Sequence, residues 1–255
     1  MVMALLAAML LVQQPETMSL LGDPLYAPKL SREARVAADA ELARAHAAYT
    51  ARPSGVPEIL ALARAHLALG RVGDALILLT QGLETNPDAP ELLLERGRGY
   101  ILIRKFDVAA RDLGKAAAKL PEARCSLALA QYLAADYARA RVSYKGCQEP
   151  GVFAYLAERR AGGTTSERPV PDGAAPASSP VIRFPGTVAQ SKDAAPEPLS
   201  ATYLSAIEAL LEGRSDEARE RLKKLVERNR GEWMQPAYIA AEADYAKLAQ
   251  HKTKR

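Results

Sequence analysis

The sequence predicts an all-α fold, a right-handed superhelical solenoid of antiparallel helix hairpins, and three observations carry that prediction. Pro53, Pro87 and Pro121 follow one another at intervals of 34 residues. Between them the same small and apolar positions recur. Alanine is abundant while aromatic residues make up 5% of the chain, a composition suited to tightly packed helices. A fixed period of this length marks stacked supersecondary units, because one hairpin cannot bury its own apolar face and needs a neighbour to cover it.

The elements follow in order. Val2 to Val12 is an apolar run too short to span a bilayer and about the length of a secretory signal's apolar core, although no Lys or Arg precedes it. Residues 1–14 are therefore expected to direct export, and residues 15–30 to form an extended segment. Ser31 is placed to cap an alanine-rich helix running to Thr50, in which Ala45, Ala48 and Pro53 sit in phase with the second helix of a unit. That makes it a half repeat. The first full unit reads Ile59, Leu62, Ala63 and His66, a turn at Gly70, then Ala75, Leu79, Gly82 and Pro87; one period on come Leu93, Arg96, Gly97, Tyr100, Ala109, Leu113, Ala116 and Pro121. Ala63 and Gly97 let the second helix approach where Ala75 and Ala109 face them, and the prolines stop each unit because proline lacks the amide donor and crowds the preceding turn. In the third unit, with Leu127, Ala128, Ala140, Tyr144 and Cys147, the repeat alanine lies 31 residues after Ala109, which predicts a shortened connection between hairpins. The repeat region thus covers 31–162. Residues 163–198 form a Pro/Ala-rich linker whose composition cannot offset its ordering entropy. Within it Val181 to Pro185 is an apolar island, read either as part of a spacer or as a segment that docks in the protein's own groove. Residues 199–255 are expected to add a hairpin, with Tyr203, Ala206, Leu210, Gly213, Ala218, Leu222 and Leu225, and an amphipathic helix from Pro236 to Gln250 acting as a polar terminal cap.

These motifs resemble the tetratricopeptide repeat, which has an aromatic or Leu, Leu-Gly or Leu-Ala and an aromatic on its first helix, then Ala, an aromatic or Leu, and Pro on and after its second. More narrowly, Leu20 to Tyr26 and Ala237 to Asp244 are similar to segments of exported bacterial members of that family. The resemblance implies a non-catalytic protein- or peptide-binding scaffold, and it implies that each hairpin's first helix lines a concave wall. On this basis the expected partner-contacting residues are Leu60, Arg64 and Leu67 in the first unit, Leu94, Arg98 and Ile101 in the second, and Leu129 and Tyr132 in the third. Arg64 and Arg98 stand one period apart and suit an acidic or carboxylate-bearing segment, unless each pairs with a nearby acid such as Glu95. The Lys-Asn pattern of carboxylate clamps that hold chaperone tails is absent, since Leu60 and Arg64 occupy those places. The other function class is a structural subunit of a bacterial envelope assembly with no peptide groove.

The remaining chemistry is sparse. A net charge of +4 with acids and bases interleaved argues against nucleic acid as the partner. The three histidines are scattered, with no metal-ligand spacing, phosphate-binding glycine loop or nucleophile elbow, so no cofactor, metal or catalytic residue is expected. The expected partner is a protein or peptide, with no stable membrane span, and the chain is expected to be a monomer unless it serves as an assembly subunit. Cys125 and Cys147 fall near the facing ends of one hairpin, where two readings stand. A disulfide would suit an exported protein, and two small buried packing residues would suit either compartment.

Overall fold

The 34-residue period is realised as helix pairs. In the computed structural model, which describes residues 14–147, 151–165, 168–169 and 199–252, α1 (Arg32–Ala51) precedes three hairpins. These are α2 (Val56–Ala68) with α3 (Val72–Thr85), α4 (Pro90–Leu102) with α5 (Phe106–Ala117), and α6 (Ala123–Leu133) with α7 (Tyr137–Tyr144). Then come α8 (Gly151–Arg160), α9 (Leu199–Leu211), α10 (Ser215–Arg228), a 3-10 turn (Arg230–Glu232) and α11 (Pro236–Lys252). Each helix packs on the next, and the first helices α2, α4, α6 and α8 also touch one another in sequence, forming one wall of the solenoid. A single hydrophobic core runs from Leu25 and Ala45 to Ala241. The signal-like run and the island at Val181 to Pro185 lie outside the described residues.

Local chemistry sets the helix ends. Ser31 accepts a hydrogen bond from the Ala34 amide at 3.1 Å and so caps α1. The five first-type helices end alike, on a residue with positive φ: Gly70 (72°), Arg104 (63°), Ala135 (65°), Gly162 (81°) and Gly213 (81°). At each, this residue's amide bonds the carbonyl three residues back and the next amide bonds the carbonyl five back, as Gly70 to Leu67 and Arg71 to His66 do. This closure satisfies the orphan carbonyls of the last turn. Two of the five positions carry a side chain where glycine is preferred, and one of them is Arg104.

Close approach between the helices of a hairpin depends on the small positions, as the sequence pattern required. A Cβ on Gly97 would lie 2.5 Å from Leu113 Cγ and 3.3 Å from the Ala109 carbonyl oxygen. The shortened third unit departs from expectation. The connection before α6 spans five residues against four before α4, while α5 and α6 have 12 and 11 residues against 14 and 13 for α3 and α4. Residues were lost from the helices, and the loop did not shrink. Pro121 remains in the connection, where it needs no amide donor.

Both ends of the described chain fold back onto the row of turns between first and second helices. The strands β1 (Thr17–Met18) and β2 (Pro24–Leu25) form an antiparallel hairpin with Thr17 opposite Leu25. Glu16 accepts the Gly73 amide at the start of α3 at 3.4 Å, and burial raises its pKa. At the other end, α11 does not present a polar outer face. Every residue from 237 to 244 is buried, the two acids included, because the helix lies between other elements and has no solvated side over that stretch.

Candidate functional site

The wall of first helices carries a polar line across three repeats. Arg64 on α2 donates through Nε and Nη2 to Glu95 Oε1 on α4 at 3.0 and 2.8 Å. Arg98 donates to the same oxygen at 3.4 Å, and its Nε reaches Ser126 Oγ on α6 at 3.1 Å. Glu95 is buried, so two guanidinium groups share one sequestered carboxylate, and Glu122 adds a second negative charge near Arg98. Arg98 is largely buried, and desolvation lowers its pKa against the opposing pull of Glu95. Arg64 differs. Its side chain is 59% exposed, and it is the most accessible cation of the line.

The other six expected contact residues, Leu60, Leu67, Leu94, Ile101, Leu129 and Tyr132, are all buried and belong to the core. Their aliphatic and aromatic surface is used in packing, so they are not presented to a ligand as the sequence reading expected. For Tyr132 the cover is visible. Its ring meets Phe153 of α8 and Tyr137 of α7 edge-on, both at 5.3 Å between centroids, and its hydroxyl lies 2.8 Å from that of Tyr203 on α9. Tyr203 in turn donates to Asp244 on α11 at 2.7 Å. Arg160, at the end of α8, makes a two-pronged pair with Asp244 at 3.0 and 2.9 Å and donates to the Tyr132 hydroxyl at 3.2 Å.

A second buried group lies on the other side of α11. Arg104 donates to both oxygens of Glu242, at 3.3 and 2.6 Å, and to the carbonyls of Leu102 and Trp233. Glu242 also accepts the Leu20 amide, and the Trp233 indole nitrogen donates to the Tyr26 carbonyl at 2.7 Å. Side chains two residues apart on a helix emerge about 200° apart. Glu242 and Asp244 therefore pin α11 from opposite sides, one to the turn after α4 and one to the end of α8. The two terminal segments singled out in the sequence, Leu20 to Tyr26 and Ala237 to Asp244, meet at this point. The residue that holds Glu242 there, Arg104, was missed. Its only signal is a bulky cation at the repeat position that Gly70 fills one period earlier.

Cys125 at the start of α6 and Cys147 after α7 form a disulfide, their Cα atoms 5.1 Å apart. For the 22-residue separation, loop closure alone stabilises the fold by about 3 kcal/mol. Titration of the unfolded, unreduced protein should find no free thiol. Reduction should bring a matching loss in denaturant-unfolding free energy, and two reactive thiols before reduction would refute the bridge. Among the described residues no group of His, Cys, Asp and Glu could hold a metal ion, and no helix is long and apolar enough to cross a membrane.

A row of touching first helices, second helices each packed on the first helices before and after it, and a common turn closure define a helical-hairpin solenoid. A tetratricopeptide repeat model matches residues 56–99, from the start of α2 into α4, so that stretch is similar to a tetratricopeptide repeat. No curated protein matches the chain. Such repeats generally mediate protein–protein interaction.

Proposed function

We propose that the protein is a non-catalytic scaffold that binds an acidic protein segment on the N-terminal part of its first-helix wall. The observation that carries this reading is Arg64, whose side chain is 59% exposed on that wall. The C-terminal part of the wall is covered by α9 and α11 through Tyr203 and Asp244, which meet Tyr132 and Arg160, and among the described residues this leaves the α2 end as the accessible stretch. Burial of the aliphatic neighbours makes recognition there a matter of charge and hydrogen bonding, so the partner is acidic and the contact salt-sensitive. The disulfide favours an oxidising compartment, which supports export to the periplasm or envelope.

The test compares wild type with Arg64→Glu as bait in native envelope and cytoplasmic extracts. Reversal of this charge should weaken capture of the partner at least tenfold; because the new carboxylate would face buried Glu95, the thermal midpoint is read alongside, and Arg64→Gln, which leaves Arg98 on Glu95, should weaken capture in the same direction with the fold intact. Partners that bind both baits equally, or recovery of the protein alone, would replace this reading with a structural subunit of an envelope assembly.

A further inference from the structure

A recess of ≈ 430 Å³ opens where the turn after α4, the first turn of α5, the end of α6 and one side of α11 meet. It lies apart from the Arg64 region, and the scaffold reading does not use it. Its apolar lining includes Phe106, Leu133 and Ala246. Of the charged residues around it, Arg104 is committed to Glu242 and backbone carbonyls. The side chains of Lys105 and Lys247 make no ion pair or hydrogen bond among the described residues, and Asp107 is the one acid in the lining. Asp107 sits in the first turn of α5, where the helix N-terminus already stabilises its charge. Within the lining two lysines face one aspartate beside an apolar surface; Asp244, the further acid acting on Lys247, is already paired with Arg160.

We infer that this recess binds a small aliphatic carboxylate of the size of octanoate, with the carboxylate on Lys105 and Lys247 and the chain against Phe106, Leu133 and Ala246. The volume corresponds to roughly fourteen waters at ~30 Å³ each, enough for the about ten heavy atoms of such a ligand. Pockets of this size that combine apolar walls with a few convergent polar groups are the usual form of small-ligand sites. Desolvation lowers the pKa of Lys247, with Asp244 acting against the shift and Arg160 with it, so an arriving carboxylate relieves a cost already present.

The chain supplies its own probe. Trp233 is the one tryptophan, and the Arg104 guanidinium that borders the recess lies 5.5 Å from its ring centroid. Titration of the full-length protein with octanoate should give a saturable change in Trp233 emission, matched by calorimetry. Octanol, which has the same chain without the charge, should bind at least tenfold more weakly. Lys105→Gln/Lys247→Gln should weaken octanoate binding at least tenfold at an unchanged thermal midpoint. Lys105→Gln alone, at an exposed position, provides a folded variant should the pair prove unstable, and should weaken binding several-fold. Absence of saturable binding below the micellar range, equal affinity for octanol, or indifference to the lysine substitutions would each overturn the assignment.

Discussion

Glu242→Ala should lower the unfolding free energy by about 3–5 kcal/mol, the usual cost of stranding one member of a buried ion pair. The side chains of Arg104 and Glu242 are 3% and 0% exposed, so neither water nor salt can compensate the orphaned guanidinium. The same substitution removes the acceptor of the Leu20 amide, so the N-terminal hairpin should loosen together with α11. Limited proteolysis should then cut near residue 20 and in α11 well before the repeats. Arg104→Met/Glu242→Leu should recover most of the loss, because a well-packed apolar pair carries no desolvation penalty. Urea unfolding of the three proteins decides the matter. A loss below about 1 kcal/mol for Glu242→Ala would mean that the pair is solvated and that α11 is held in place by other contacts.

Alkaline pH should unfold the protein over a narrow range. Burial raises the pKa of Tyr132 and holds those of Tyr144 and Tyr203 well above the ordinary value, with the charge of Asp244 adding to the effect at Tyr203. Tyr137 is pushed up to about 12 by the same cause. The unfolded chain releases its phenolic protons near pH 10 while the folded chain retains them, so the folded state binds more protons and stability falls as pH rises. The stabilisation is complete below about pH 10. Above it, the three fully buried tyrosines together cost about 4 kcal/mol per pH unit. Thermal midpoints should hardly change from pH 7 to 9 and should collapse between about pH 10 and 12. Tyr203→Phe should soften that slope by about a third while losing the hydrogen bond to Asp244. An unchanged midpoint at pH 11 would show that these phenols reach solvent.

The helices of the repeat region were legible because their signals are local. The alternation of small and large residues, the proline stops and the Ser31 cap all act within one or two turns. The solenoid followed from the period, since stacking is the only way to cover each hairpin. The wall's chemistry was half legible. Arg64, Glu95 and Arg98 could be placed by counting along the repeat, but burial of Leu60, Leu94 and Ile101 depends on what lies across the wall. The role of α11 was not legible. Glu242 and Asp244 look like solvent-facing acids on an alanine-rich helix, and their partners, Arg104 and Arg160, lie 138 and 84 residues away. No local propensity encodes a pairing of that range. Two acids separated by one alanine do, however, leave such a helix no uniformly apolar face, and that is the clue in the sequence to a helix held from both sides.

The contact between the Leu20 amide and the Glu242 carboxylate bears on how the protein is made. Repeats can fold one after another as a polypeptide emerges during synthesis, each settling on its predecessor. Here the segment that emerges early finds its acceptor 222 residues later. Until α11 has been synthesised, Arg104 lacks its Glu242 counter-charge and the hairpin of β1 and β2 lacks its bond to Glu242, keeping only contacts such as Glu16 with Gly73. A chain interrupted anywhere before residue 242 therefore carries a stranded cation and a loose N-terminal strap even though its repeats have formed. Loosely held segments are where proteolysis concentrates, so truncation before residue 242 should make the N-terminal hairpin easier to cut.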